Sequence, residues 1–99
     1  MIKEINKKYK INLEQLNENE WVDKEKNIYL SFDVRKIKLR LLVWNLALTD
    51  NGRALRRDRS KLAKAVLSNL KNKDNIIFEV IEENDNYILY KCSSRDLVE

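Results

Sequence analysis

The clearest pattern in the chain is a helical stripe of apolar residues in its middle third. Apolar residues recur at spacings of three and four from Val34 to Leu48, which predicts a helix over 34–48 with Asp33 as its N-cap. Further apolar residues surround the second half of this helix almost completely. Because a helix that is apolar on all sides is normally buried, we expect it to lie at the centre of the core.

A second helical pattern covers residues 53–72 and has one apolar and one basic side. Arg59 would fall within the apolar side if this helix were continuous. A break near 58–60, with Asp58 or Ser60 as the new N-cap, removes the conflict and predicts helices over about 53–58 and 61–72. One continuous helix is the alternative. The preceding turn, Thr49–Gly52, holds the only glycine of the chain.

Three segments show the β-branched, aromatic composition of strands. Residues 28–32 form a short run, and residues 76–81 and 87–92 predict a C-terminal hairpin joined by the loop 82–86. Near the start of the chain, Asn12 predicts a cap for a short helix over about 13–22. Residues 1–10 are compatible with a flexible arm or a first strand, and residues 93–99 with a polar tail that docks or frays.

This order of elements predicts one α+β domain over 1–99. Three to four helices, an early short strand and a closing hairpin are compatible with a small winged-helix-like fold, in which 53–58 and 61–72 form a helix-turn-helix. The match concerns the order of elements, and no motif of a particular family accompanies it.

Composition excludes much common chemistry. The 99 residues contain no His, one Cys and one Gly, so they offer no His/Cys zinc site, no His-dependent catalytic system and no glycine-rich phosphate loop. Cys92 lies late in a predicted strand and is expected to be a buried spectator. No apolar run approaches 18 residues, and the N-terminus lacks the apolar stretch of a signal peptide. We therefore expect a cytoplasmic protein without enzymatic activity, cofactor or membrane partner.

The net charge of +4 is divided very unevenly along the chain. Residues 1–33 carry −1, residues 34–73 carry +10, and residues 74–99 carry −5. Such asymmetry favours a polyanionic partner. The alternative is that the acidic ends of the chain neutralise the basic block inside the same fold.

These observations predict a nucleic-acid-binding protein, most simply a small transcription or replication regulator that contacts duplex DNA phosphates through a basic helical face. A domain this small reads a short site weakly, so a homodimer is compatible with this function. The candidate contact residues are Arg53, Arg56, Arg57, Lys61, Lys64, Ser68, Asn69 and Lys71.

Two other functions, binding of a protein partner and binding of RNA, are also compatible with the sequence. The acidic loop 82–86 would repel phosphate, and a small inhibitor or adaptor could use it to bind a protein partner. The abundance of Lys, Asn and Ile is typical of A/T-rich coding sequences, including those of phages and plasmids. RNA binding would need a stacking platform on the strands, for which Tyr29, Phe32, Tyr87 and Tyr90 are the candidates.

Overall fold

The computed structural model describes residues 1–46, 53–70 and 76–94, and within them the chain forms four helices and five strands. In chain order these are α1 (Ile2–Tyr9), β1 (Glu14–Gln15), β2 (Glu20–Asp23), β3 (Ile28–Ser31), α2 (Val34–Leu46), α3 (Arg53–Arg57), α4 (Lys61–Asn69), β4 (Ile76–Glu83) and β5 (Ile88–Ser94). The fold is α+β, as the sequence predicted.

The five strands form one antiparallel sheet in the order β1-β2-β3-β5-β4. All four residues of β3 are buried, because the sheet is covered on both faces. On one face Tyr29 and Tyr90 pack with apolar residues of α2, α3 and α4. On the other face Leu30 and Leu89 pack with Ile5 of α1. The helix pair α3–α4 and helix α1 therefore lie on opposite sides of the sheet.

The prediction of a helix over 13–22 is wrong, since this segment forms strands β1 and β2 and the turn between them. Two acidic residues of β2 are buried, which the apolar spacing could not reveal. Glu20 accepts a hydrogen bond from the Asn17 amide at 2.5 Å. Asp23 accepts backbone N–H groups from Asn12 and Glu25, so its carboxylate holds the β2–β3 turn in place.

Residues 1–10, expected as an arm or a strand, form helix α1 instead. Ile2, Ile5 and Tyr9 lie on one side of this helix. They pack in the apolar cluster that contains Leu30 and Leu89 of the sheet. Lys10 ends the helix in the left-handed conformation, with φ 55°. The Asn6 side chain then accepts the backbone N–H of Leu13 at 2.9 Å, which joins α1 to the following segment.

Helix α2 confirms the central helix and its cap, since the Asp33 carboxylate accepts the backbone N–H of Lys36 at 3.3 Å. Its predicted place at the centre of the core is wrong. Ile37 and Trp44 are buried against the sheet, whereas Leu39 is 63% and Leu42 59% exposed. The helix therefore covers the sheet from outside with one side only. Residues 47–52, which include the predicted Thr49–Gly52 turn, lie outside the described part of the chain.

The C-terminal hairpin and the early strand are confirmed, with β4 and β5 slightly longer than predicted. Asn84 shapes the loop, since its side-chain oxygen accepts the backbone N–H groups of Asn86 and Tyr87. The register shifts at a bulge between Val80 and Glu82. The predicted polar tail over 93–99 is wrong in its first two residues, since Ser93 and Ser94 belong to β5. Residues 95–99 lie outside the described part of the chain.

Candidate nucleic-acid interface

Helices α3 and α4 are joined by the three-residue turn 58–60, which confirms the predicted break. The hydroxyl oxygen of Ser60 accepts the backbone N–H of Ala63 at 3.1 Å and is the N-cap of α4. The Asp58 carboxylate accepts the backbone N–H of Ser60 at 3.0 Å. Both residues proposed as caps thus take part in the turn.

Helix α4 separates apolar from basic residues as its sequence pattern predicted. Leu62, Ala63 and Val66 are fully buried against the sheet. Lys61 and Lys64 lie on the exposed side, one helical turn apart. Burial of the apolar side therefore fixes which side of α4 faces outward.

Asp58, in the turn between α3 and α4, is directed inward. Asp58 Oδ2 lies 3.5 Å from Arg40 Nε of α2, and Arg40 Nη1 lies 3.6 Å from Glu20 Oε2 of β2. These three side chains are only 10–20% exposed. Arg40 thus joins α2, β2 and the α3–α4 turn, and it compensates two carboxylates at once.

In the described part of the chain, every exposed charged residue of α3, α4 and the turn between them is an Arg or a Lys. None of them lies within 4.0 Å of a described carboxylate. Helices α3 and α4 and the turn between them hold these cations within nine consecutive residues. We define these exposed residues as the basic face: Arg56, Arg57, Arg59, Lys61 and Lys64.

Four of the predicted contact residues belong to the basic face, and the sequence prediction omitted Arg59. Its conflict with a continuous apolar side was the signal that identified it as exposed. Ser68 is exposed on α4, but its hydroxyl donates to the Ala65 carbonyl at 3.0 Å. Arg53 begins α3 with its side chain outside the described part of the structure, and Lys71 lies outside it entirely.

Asn69, also a predicted contact residue, is engaged within the protein. Its side-chain amide donates to the Lys24 carbonyl at 2.5 Å and to the Asn27 side-chain oxygen. Lys24 and Asn27 belong to the turn between β2 and β3. These bonds hold the C-terminal end of α4 against that turn.

The acidic hairpin forms its ion pairs away from the basic face. Glu82 pairs with Lys8 of α1 at 3.4 Å, and Glu83 pairs with Lys38 of α2 at 2.7 Å. Hydrogen bonds from Tyr87, at 2.5 Å, and from Tyr9 lower the pKa of Glu82. No ion pair among the described residues joins the hairpin to α3–α4.

The aromatic residues considered for RNA stacking lie in the core. Tyr29 and Tyr90 are buried, with ring centroids 5.6 Å apart. Desolvation raises the pKa of Tyr29 to about 12 and also raises the pKa of Tyr90 well above its usual value. Phe32 and the buried Tyr87 contact each other edge to face. These rings stabilise the sheet and do not form an exposed platform.

A polar cavity of about 270 Å³ lies beside Glu20, Ser31 and Arg40. The side chains of these three residues form hydrogen bonds or ion pairs with other residues of the protein. Residues 1–46, 53–70 and 76–94 bring together no group of His, Cys, Asp and Glu suited to a metal ion. In the same ranges, every helix is too short or too polar to cross a membrane.

The basic face thus combines exposed cations with a buried apolar side, and Arg40 holds Asp58, the one acidic residue within 53–70, on the inner side. Its chemical character suits an anionic partner. Comparison of the chain with protein-family models, curated proteins and solved structures finds no match in any of the three.

Proposed function

We propose that this chain binds duplex DNA through the basic face and acts as a small cytoplasmic regulator of transcription or replication. The observation that carries the proposal is the arrangement around Asp58. Arg40 holds this acid on the inner side of the turn, so the outer side presents five cations without a neighbouring carboxylate among the described residues. Phosphates supply the complementary charge, and they dominate the affinity of proteins for DNA.

The topology supports a winged-helix-like docking mode. A helix-turn-helix, α3–α4, lies between the early strand β3 and the hairpin β4–β5, and β3 pairs with β5. In helix-turn-helix proteins the second helix enters the major groove, which assigns that role to α4. The acidic hairpin loop would not contact phosphate in this mode. Strands β1 and β2 and helix α1 are additions to the minimal arrangement.

The phosphate contacts predict a strong dependence on salt. Five contacts give a slope of about −4 to −5 in a plot of log affinity against log salt concentration. The affinity for a short duplex, measured by fluorescence anisotropy, should fall about 500-fold between roughly 50 and 200 mM salt. An affinity that does not change with salt would refute phosphate-dominated binding.

A charge-reversal pair tests the position of the surface. Lys61→Glu with Lys64→Glu should abolish DNA binding and leave the melting temperature nearly unchanged, since both side chains are exposed. The matched control is Lys3→Glu with Lys7→Glu, which makes the same change in net charge on α1, across the sheet. The control should retain most of the affinity.

Two results would contradict the proposal. Equal loss of affinity in both pairs would indicate a response to net charge alone. Unfolding of the Lys61/Lys64 pair would show that these lysines neutralise acidic segments of the same fold. A stoichiometric protein partner that survives nuclease treatment of a lysate, without measurable duplex binding, would favour the inhibitor or adaptor function instead.

A further inference from the structure

Helix α2 carries a second apolar side that the described chain leaves uncovered. Leu39 is 63%, Leu42 59% and Val43 43% exposed, and these residues lie at i, i+3 and i+4 on one side of the helix. Val80 of β4 is a further exposed apolar residue. It lies between two residues of β4 that contact α2, namely Phe78 beside Trp44 and Glu83 beside Lys38. We call Leu39, Leu42, Val43 and Val80 the α2 patch.

The patch is a specific feature rather than ordinary surface variation. Scattered apolar side chains are common on protein surfaces, whereas a group of neighbouring exposed apolar side chains marks an interaction site. Four of the five large apolar side chains that are exposed in the described residues belong to it. Helix α2 is apolar on two opposite sides, and only the side with Ile37, Leu41 and Trp44 packs within the protein.

The charges along α2 indicate which partner fits. Val34–Leu46 contains no acidic residue, and its four cations all lie in the first half, from Arg35 to Arg40. Lys38 and Arg40 pair with carboxylates of the same chain, which leaves Arg35 and Lys36 to act on a partner. A second copy that lies antiparallel places its own cations beside the C-terminal end of this helix, where the helix dipole is negative. The two groups of cations are then far apart. A parallel copy would bring them together and is disfavoured.

Antiparallel pairing is also self-complementary. A two-fold axis on the exposed side of the helix, at the level of residue 41, brings Leu39 of each copy to Val43 of the other, as an isologous interface requires. A membrane surface fits less well, because cations that anchor a helix to lipid lie along its polar side rather than at one end. We infer that the α2 patch is the contact surface for a second copy of this chain.

The size of the patch determines the strength expected. Stable dimers bury about 1,200–2,000 Å² in total, and four partly exposed side chains on a helix of about 20 Å supply less. The dimer is therefore weak and should form only at high protein concentration. This inference does not depend on DNA binding, although such a dimer would carry two copies of the basic face.

Sedimentation equilibrium of the full chain at increasing concentration tests the inference. The wild type should shift from monomer to dimer, and Leu42→Glu should weaken association at least about tenfold while remaining folded. Gln15→Glu, an exposed change of the same charge on β1, should associate as the wild type does. A wild type that stays monomeric to millimolar concentration, or a dimer that Leu42→Glu leaves intact, would overturn the inference.

Disulfide cross-linking tests independently which surface the two copies share. Leu39→Cys with Val43→Cys should form a disulfide-linked dimer on mild oxidation, whereas Gln15→Cys should not. The native Cys92 does not interfere, since it is fully buried. Failure to cross-link, together with binding of the monomer to vesicles of neutral and anionic lipid, would reassign the patch to a membrane surface.

Discussion

Replacement of Arg40 by methionine should strongly destabilise the fold, because one guanidinium compensates two poorly exposed carboxylates. Arg40 lies 3.6 Å from Glu20 and 3.5 Å from Asp58, and Glu20 is only 7% exposed. Methionine preserves most of the unbranched stem and removes the charge. Among the described residues, the hydrogen bonds that remain to these carboxylates come from the Asn17 side chain and the backbone of Ser60.

The magnitude follows from the environment of the pair. Breaking a fully buried ion pair costs about 3–5 kcal/mol, whereas an exposed pair contributes about 0–1 kcal/mol. The cavity beside Arg40 admits water, so we expect a loss between the exposed and the fully buried range, about 2–3 kcal/mol. For a domain of this size this loss lowers the melting temperature by roughly 10–20 °C. The variant should still fold, since domains commonly have about 5–15 kcal/mol in total.

Urea unfolding, followed by tryptophan fluorescence, measures the loss directly. Lys38→Met is the matched control on the same helix, because Lys38 pairs with Glu83 where both side chains are exposed. It should change the free energy of unfolding by less than about 0.5 kcal/mol. If Arg40→Met lowers the free energy of unfolding no more than this control does, water in the cavity replaces the guanidinium. Arg40 is then not needed to hold Asp58 on the inner side of the turn.

Three further experiments, two substitutions and one thiol-labelling measurement, test other features of the fold. Ser60→Ala removes the N-cap of α4 and should cost about 1 kcal/mol, seen as a melting temperature lower by about 4–8 °C, and an unchanged value would show that the cap is redundant. Hydrogen bonds from Tyr87 and Tyr9 lower the pKa of Glu82 in the folded chain. The ionised carboxylate therefore stabilises the fold at any pH above the ordinary pKa of about 4.3. This contribution is lost as pH falls through the lowered pKa. Glu82→Gln should therefore flatten the fall in urea midpoint on acidification, and a parallel curve would contradict that role. Burial raises the pKa of Cys92 to about 12, so a thiol reagent at pH 8 should react only after urea is added, and rapid reaction of the folded protein would show local opening.

Sequence reasoning succeeded where a local signal coincided with the long-range packing. The break at 58–60 was predictable, because Arg59 conflicts with an apolar side and Ser60 is a strong cap. The hairpin was equally predictable, since two β-branched runs flank a polar loop. These two features, together with the asymmetry of charge, located most of the basic face.

Sequence reasoning failed where a distant partner decides the local structure. Glu20 and Asp23 are unusual in a buried strand, and they are tolerated because Arg40, Asn17 and backbone amides satisfy them. None of these partners is visible from the pattern near residue 20. The exposed side of α2 is a different case, because its apolar composition correctly indicates a need for cover without identifying what supplies it.

The attachment of α4 at both ends has a consequence for any ligand that docks there. Ser60 fixes its first turn, and Asn69 ties its last residue to the β2–β3 turn. A helix held in this way is pre-organised, so docking costs little of the conformational entropy that a disordered basic segment would lose. Binding should then show a small change in heat capacity, in contrast with the large change that accompanies coupled folding and binding.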